Sequence, residues 1–144
     1  MSTHALIAIK ENENVYKGIY CHFDGYIRKG VGEILENNYK SKEKMQNLID
    51  LGALSFLRES IECPEGHSFD NPVEGYSVFY RRDRGETDNV DSKTFTYDSL
   101  IKNLKFNDYE YLYIYNLEEN RFLVYYIRND VVKLYYLDEL LENL

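Results

Sequence analysis

The sequence predicts an α+β fold in a single domain spanning residues 1–144: a twisted antiparallel sheet with two or three short helices packed on one face. Three observations predict it. The chain is long enough for one core and too short for two. Strand-like runs bounded by polar turns occupy both ends, while helical periodicity is confined to the middle. Tyrosine, a strand former with a flat amphipathic ring, occurs fifteen times, against two prolines and no tryptophan.

"ALIAIK" and "VYKGIYCHF" flank the polar turn "ENEN" and read as a hairpin over residues 5–23. Alternation puts Val15, Ile19, Cys21 and Phe23 on one face, and Tyr16, Gly18, Tyr20 and His22 on the other. "GVGEILENNY" then aligns Val31, Ile34 and Leu35 as a helical stripe. In "SKEKMQNLIDLG", Ser41 is the expected N-cap, Met45, Leu48 and Ile49 the apolar stripe, and Gly52 the stop. "YSVFYRR" reads as a strand, "RGETDNVDSK" as a loop, "TFTY" as a further short strand, and Asp98 as the cap of the helix "SLIKNLK".

The last third, "YEYLYIYN", "RFLVYYIR" and "VVKLYYL" with the turns "LEEN" and "ND", reads as a three-strand antiparallel meander. Tyr109, Tyr111, Tyr113 and Tyr115 fall on one face of its first strand, with Leu112 and Ile114 on the other. Such a face suits a base-stacking platform, a subunit interface or a half-buried outer face. Cross-strand tyrosine pairing favours the last two.

A net charge of −8, spread through the chain without a basic tail, speaks against a broad cationic face for duplex nucleic acid and leaves a basic protein partner open. No run of about 18 apolar residues marks a membrane span. The opening "MSTHALIAIKENENVYK" lacks an export pattern, so a soluble protein with no membrane partner is expected. Cys21 and Cys63 lack Cys-x-x-Cys spacing and are expected as reduced, structural thiols.

Three stretches carry chemistry, each at a strand end or in a loop: "YCHFDGY" at 20–26, "HSFD" at 67–70 and "YRRDRGE" at 80–86. His22, Asp24, His67 and Asp70 have the donor types of a metal site or an acid/base set for attack on a phosphodiester, but two-residue His/Asp pairs arise often by chance. The competing readings are structural: His22 bonded to a carbonyl, Asp24 and Gly25 in a turn, His67 and Asp70 bracing the loop before Pro72. No cofactor and no resident metal are expected. Arg81, Arg82 and Arg84 repel one another unless acids or an anionic ligand compensate them. On a strand, Arg82 and Arg84 share a face and offer fork geometry to phosphates, with Arg28 and Lys29 nearby. Tyr20, Tyr26, Phe69 and Tyr80 would stack a purine. The expected ligand-binding set is therefore His22, Asp24, Tyr26, Arg28, His67, Asp70, Tyr80, Arg82 and Arg84.

Together, "MSTHALIAI", "IYCHFDGY", "GVGEILENNY", "LIDLGALS", "HSFD" and "YRRDRGE", in this order over roughly residues 1–90, resemble a widespread, functionally uncharacterised family of small phage and prophage accessory proteins. The family commonly has arginine where this chain has His4, and proline where it has Ile27. The resemblance implies immune evasion in the host cytoplasm. Three mechanisms follow: a sponge that sequesters a small nucleotide signal of the cyclic nucleotide or ADP-ribose type, a phosphodiesterase or lyase using His22 and His67, or an acidic inhibitor of a host defence protein; separately, exposed strand edges or tyrosines are expected to pair the chain into a homodimer. The sponge ranks first, because charged and aromatic residues recur together at loops and no strong metal or nucleophile motif is present.

Overall fold

The computed structural model describes residues 2–143; Met1 and Leu144, the two ends of the expected domain, lie outside the described residues. β1 (Ala5–Asn12) and β2 (Val15–Cys21) form the expected hairpin, Ala5 facing Cys21, with Asn14 at φ 61 in the turn. Two helices follow, α1 (Val31–Asn38) and α2 (Lys42–Leu51). The Ser41 side chain accepts from the Lys44 N–H and caps α2, and Gly52 at φ 87 ends it, both as the sequence predicts.

Next come β3 (Leu54–Phe56), β4 (Val78–Phe79), α3 (Tyr80–Arg84), β5 (Lys93–Phe95) and α4 (Tyr97–Lys105). The chain closes with the meander β6 (Tyr111–Asn116), β7 (Arg121–Arg128) and β8 (Val131–Tyr136), then α5 (Leu137–Glu142). Thr96, not Asp98, caps α4, in a reciprocal box with Ser99. No helix among the described residues is long and apolar enough to cross a membrane.

The α+β class holds, with a mixed sheet in the order β4-β3-β2-β1-β6-β7-β8 and β5 paired to β2. β1 runs parallel to β6, and β2 parallel to β3. Alternation in a sequence reports faces, not strand direction; here helical segments lie between the partners, so the chain returns in the same sense.

Helices cover both faces, a departure from the one-face expectation. α1, α2 and α5 bury Leu35, Met45, Leu48, Ile49 and Leu137 against Ile7, Ile19, Cys21, Tyr113 and Val124. α4 buries Leu100 and Leu104 against Leu6, Leu112, Ile114 and Tyr125 on the other. Each fully buried aliphatic side chain contributes roughly 2 kcal/mol of transfer free energy. Phe23, expected in the core, is 42% exposed because β2 ends at Cys21 and alternation no longer governs it.

Six of the fifteen tyrosines are buried in the core: Tyr16, Tyr39, Tyr109, Tyr113, Tyr115 and Tyr125. Tyr113 and Tyr115 lie buried beneath the helices, while Tyr109 precedes β6 and packs on the opposite face. Three buried hydroxyls bond backbone: Tyr113 donates to the Gly25 carbonyl at 2.7 Å, Tyr109 to Leu100 at 2.7 Å and Tyr39 to Arg58 at 2.6 Å. A buried ring with a satisfied hydroxyl ties loop to sheet, which explains why tyrosine serves where phenylalanine would pack equally well.

Candidate functional site: a tyrosine-lined cleft

The outer edge of β2 is shared by two short strands. β5 pairs with Tyr16–Gly18, whereas β3 pairs only at Cys21, so Ile19 and Tyr20 lie between them. A cleft of about 470 Å³ opens there. Leu6, Gly18 and Tyr20 line it from the sheet, Ala53 and Tyr80 from the β3–α3 side, and Lys93 and Phe95 from β5. Asn103, Asp108 and Tyr109 come from the end of α4 and beyond, and Glu86, Asn89, Val90 and Asp91 from the acidic loop. Gly18 keeps the floor low, since a Cβ there would meet the Leu6 side chain at 3.1 Å and the Phe95 ring at 3.3 Å. The wall depends on Gly52, whose positive φ lets the Ala53 N–H donate to the Val90 carbonyl at 2.7 Å.

The Tyr20 hydroxyl lies 3.0 Å from His22 Nδ1. Burial, then the neighbouring Tyr80, Glu110 and Cys21, push the phenol up to about 12. Burial, then His4, hold the His22 imidazole below its ordinary value. Both groups are therefore neutral at pH 7, and the hydroxyl donates to Nδ1. His4 stands directly across the hairpin, its ring centroid 4.7 Å from that of His22; its Nδ1–H donates to the His22 carbonyl at 2.8 Å, and its backbone N–H to Glu110 Oε2 at 2.7 Å. Acidification should protonate His22 and reverse the bond, Nδ1–H then donating to the Tyr20 hydroxyl oxygen. Because burial and His4 disfavour the charged ring, the neutral ring's contribution to stability is complete above about pH 6.5 and lost as pH falls through the lower folded value. Proton-detected titration of the His22 ring should give a midpoint below 6.5; a midpoint at or above it would contradict the assignment.

Of the nine expected ligand residues, only Tyr80 lines the cleft, and His22 reaches it through Tyr20. Asp24 holds a left-handed turn at φ 60, its carbonyl accepting the Val31 N–H at 2.9 Å and its carboxylate 3.8 Å from Arg58. Tyr26 is 43% exposed, outside the cleft lining. Arg28 donates to the Leu141 carbonyl at 2.7 Å and sits 3.6 Å from Glu33. Asp70 is exposed on its loop.

His67 is buried with both ring nitrogens engaged: Nδ1 accepts the Val73 N–H at 2.9 Å, which leaves Nε2 to donate to the Ser77 carbonyl at 3.0 Å. It braces its loop and is not poised as an acid or base beside His22. Among the described residues no group of three His, Cys, Asp or Glu side chains is arranged to hold a metal ion.

"YRRDRGE" departs furthest from expectation. Tyr80–Arg84 is helical, ended by Gly85 at φ 79, so Arg82 and Arg84 fall on different sides instead of sharing a strand face. Arg82 bonds the carbonyls of Ile61 and Ser77 and the carboxylate of Asp83. Arg81 engages Asp91 and the Asp50 carbonyl, and Arg84 lies over the Phe69 ring at 4.5 Å with Glu86 at 4.0 Å. The arginine repulsion is met inside the chain, by an acid from the loop and by backbone oxygens that a local reading does not count.

Sequence reasoning missed His4, Lys93, Asn89, Asn103 and Asp108. His4 was within reach, because the hairpin register that pairs Ala5 with Cys21 also sets His4 opposite His22. The others converge from separate segments and carry no local signal. Comparison with protein-family models, with curated proteins and with solved structures returned no match.

Proposed function

We propose that this chain is a phage-type immune-evasion protein that sequesters a small nucleotide signal in the tyrosine-lined cleft, acting as a homodimer in the host cytoplasm. The observation that carries this reading is the cleft's composition. Tyr20, Tyr80 and Phe95 supply aromatic contact area for a base above buried Tyr109; Asn89 and Asn103 supply amides that both donate and accept, and Glu86 and Asp108 acceptors for ribose hydroxyls. Lys93 supplies one cation for phosphate, and it makes no ion pair among the described residues. With carboxylates outnumbering that lysine, the favoured ligand is the least charged of its class, a cyclic mononucleotide with a single negative charge ahead of a cyclic dinucleotide or ADP-ribose.

The test is incubation with a panel of these nucleotides and mass spectrometry of the free fraction before and after heat denaturation. Sequestration predicts depletion, then return of the intact ligand. Lys93→Ala and Tyr80→Ala should each weaken binding about tenfold or more, while Arg84→Ala leaves it unchanged. An untouched panel would overturn the reading in favour of a protein partner.

One observation favours a catalytic alternative, a phosphodiesterase or lyase: the Tyr20–His22 hydrogen bond at the cleft. Turnover would run through those two residues, without His67, and the ligand would return with changed mass.

A further inference from the structure

Among the described residues, five of the seven exposed large hydrophobic side chains belong to β8 or to α4 and its end: Val131, Leu134 and Tyr135 on β8, and Tyr97 and Phe106 on α4 and just beyond it. β8 is also a sheet edge, hydrogen-bonded to β7 on one side only. Edge strands are ordinarily blunted by proline, a bulge or several charges. Residues 131–136, "VVKLYY", carry a single charge, Lys133.

We propose that a second copy of this chain docks on β8, antiparallel, with Leu134 opposite Leu134 of the other copy. This deepens the homodimer in the proposed function and does not depend on the ligand. The strand's own complementarity selects the occupant: against a second β8 its one cation meets a tyrosine ring, and Leu134 and Val132 meet Leu134 and Tyr136. Two chains of −8 repel, and they approach at least cost where the surface has no acid, as along these six residues. Lys133 then selects the register.

A two-fold axis normal to the sheet keeps each face continuous, so residues of the same parity must pair. Val132, Leu134 and Tyr136 share the α4 face with Leu123, Tyr125 and Ile127; Val131, Lys133 and Tyr135 share the other with Val124 and Tyr126. Two such registers overlap five residues of β8. One sets Lys133 against Lys133, which like charge disfavours. The other centres on Leu134, flanks it with Val132 against Tyr136, and sets Lys133 against Tyr135, a cation–π pair on each side of the axis. Phe106 and Tyr97 then extend the buried apolar surface on the α4 side.

The test uses the full chain with Cys63→Ser, which removes the exposed native thiol and leaves buried Cys21. Leu134→Cys should form a covalent dimer under mild oxidation, because directly opposed strand residues bring Cα atoms to about 5 Å. Lys133→Cys in the same background should not. Light scattering at about 100 µM should give twice the 17.2 kDa chain mass for the parent and a single chain mass for Leu134→Asp. A monomeric parent, or crosslinking at Lys133→Cys in place of Leu134→Cys, would overturn the proposal; neither result bears on nucleotide binding.

Discussion

Asp83→Ala is expected to lower stability by about 3 kcal/mol, or about 10 °C in Tm, although Asp83 lies in a charged surface motif. Its carboxylate is fully buried. It accepts the Phe79 N–H at 2.8 Å and two hydrogen bonds from Arg82 at 2.9 and 3.1 Å, with His67 Nε2 3.5 Å away. Removal leaves the buried Phe79 N–H without this acceptor and takes from partly exposed Arg82 its carboxylate partner. Burial pushes the Asp83 carboxyl up, but the Arg82 and Phe79 hydrogen bonds and the nearby positive charge hold it below the ordinary value.

With the folded value depressed, the stabilisation is complete above the unfolded value of about 3.9 and fades as pH falls through the lower folded value. Chemical denaturation of Asp83→Ala and Asp83→Asn measures the loss. An unchanged midpoint together with lost nucleotide binding would return "YRRDRGE" to the role of a ligand grip.

Gly52→Ala should cost about 3 kcal/mol and weaken ligand binding at least tenfold. Two effects add. The backbone sits at φ 87, where a Cβ is strained, and that Cβ would run into the Val90 carbonyl oxygen well inside van der Waals contact. Val90 and Ala53 both line the cleft and are tied by the hydrogen bond that this collision would break. Denaturation midpoint and nucleotide affinity should fall together. Full affinity in a destabilised Gly52→Ala protein would show that this wall does not shape the site.

Where one element's own residues decide its form, the sequence was legible. The hairpin, the Ser41 cap, the Gly52 stop and the meander follow from alternation, capping chemistry and turn residues. What failed depends on distant partners. Parallel pairing of β1 with β6 requires knowing where the chain returns, and the helical form of Tyr80–Arg84 reflects Asp83 capping Phe79 and Arg82 reaching Ile61 across the fold.

The site divided in the same way. Tyr80 and the Tyr20–His22 pair sit within motifs that sequence reading singled out, whereas Asn103, Asp108 and Lys93 meet them only after folding. Arginine clusters misled because a guanidinium can be satisfied by backbone carbonyls, which no sequence displays.

Titrating the ¹⁵N-labelled protein with cyclic mononucleotides and following its amide resonances asks whether a nucleotide sits in the cleft beside Tyr20 and Tyr80. A nucleotide in the cleft should give saturable shifts at Gly18, Tyr20, Asn89, Lys93 and Asn103, with Arg28, Asp70 and Arg84 unmoved. Shifts confined to the arginine motif and the "HSFD" loop, or none at millimolar nucleotide, would contradict it.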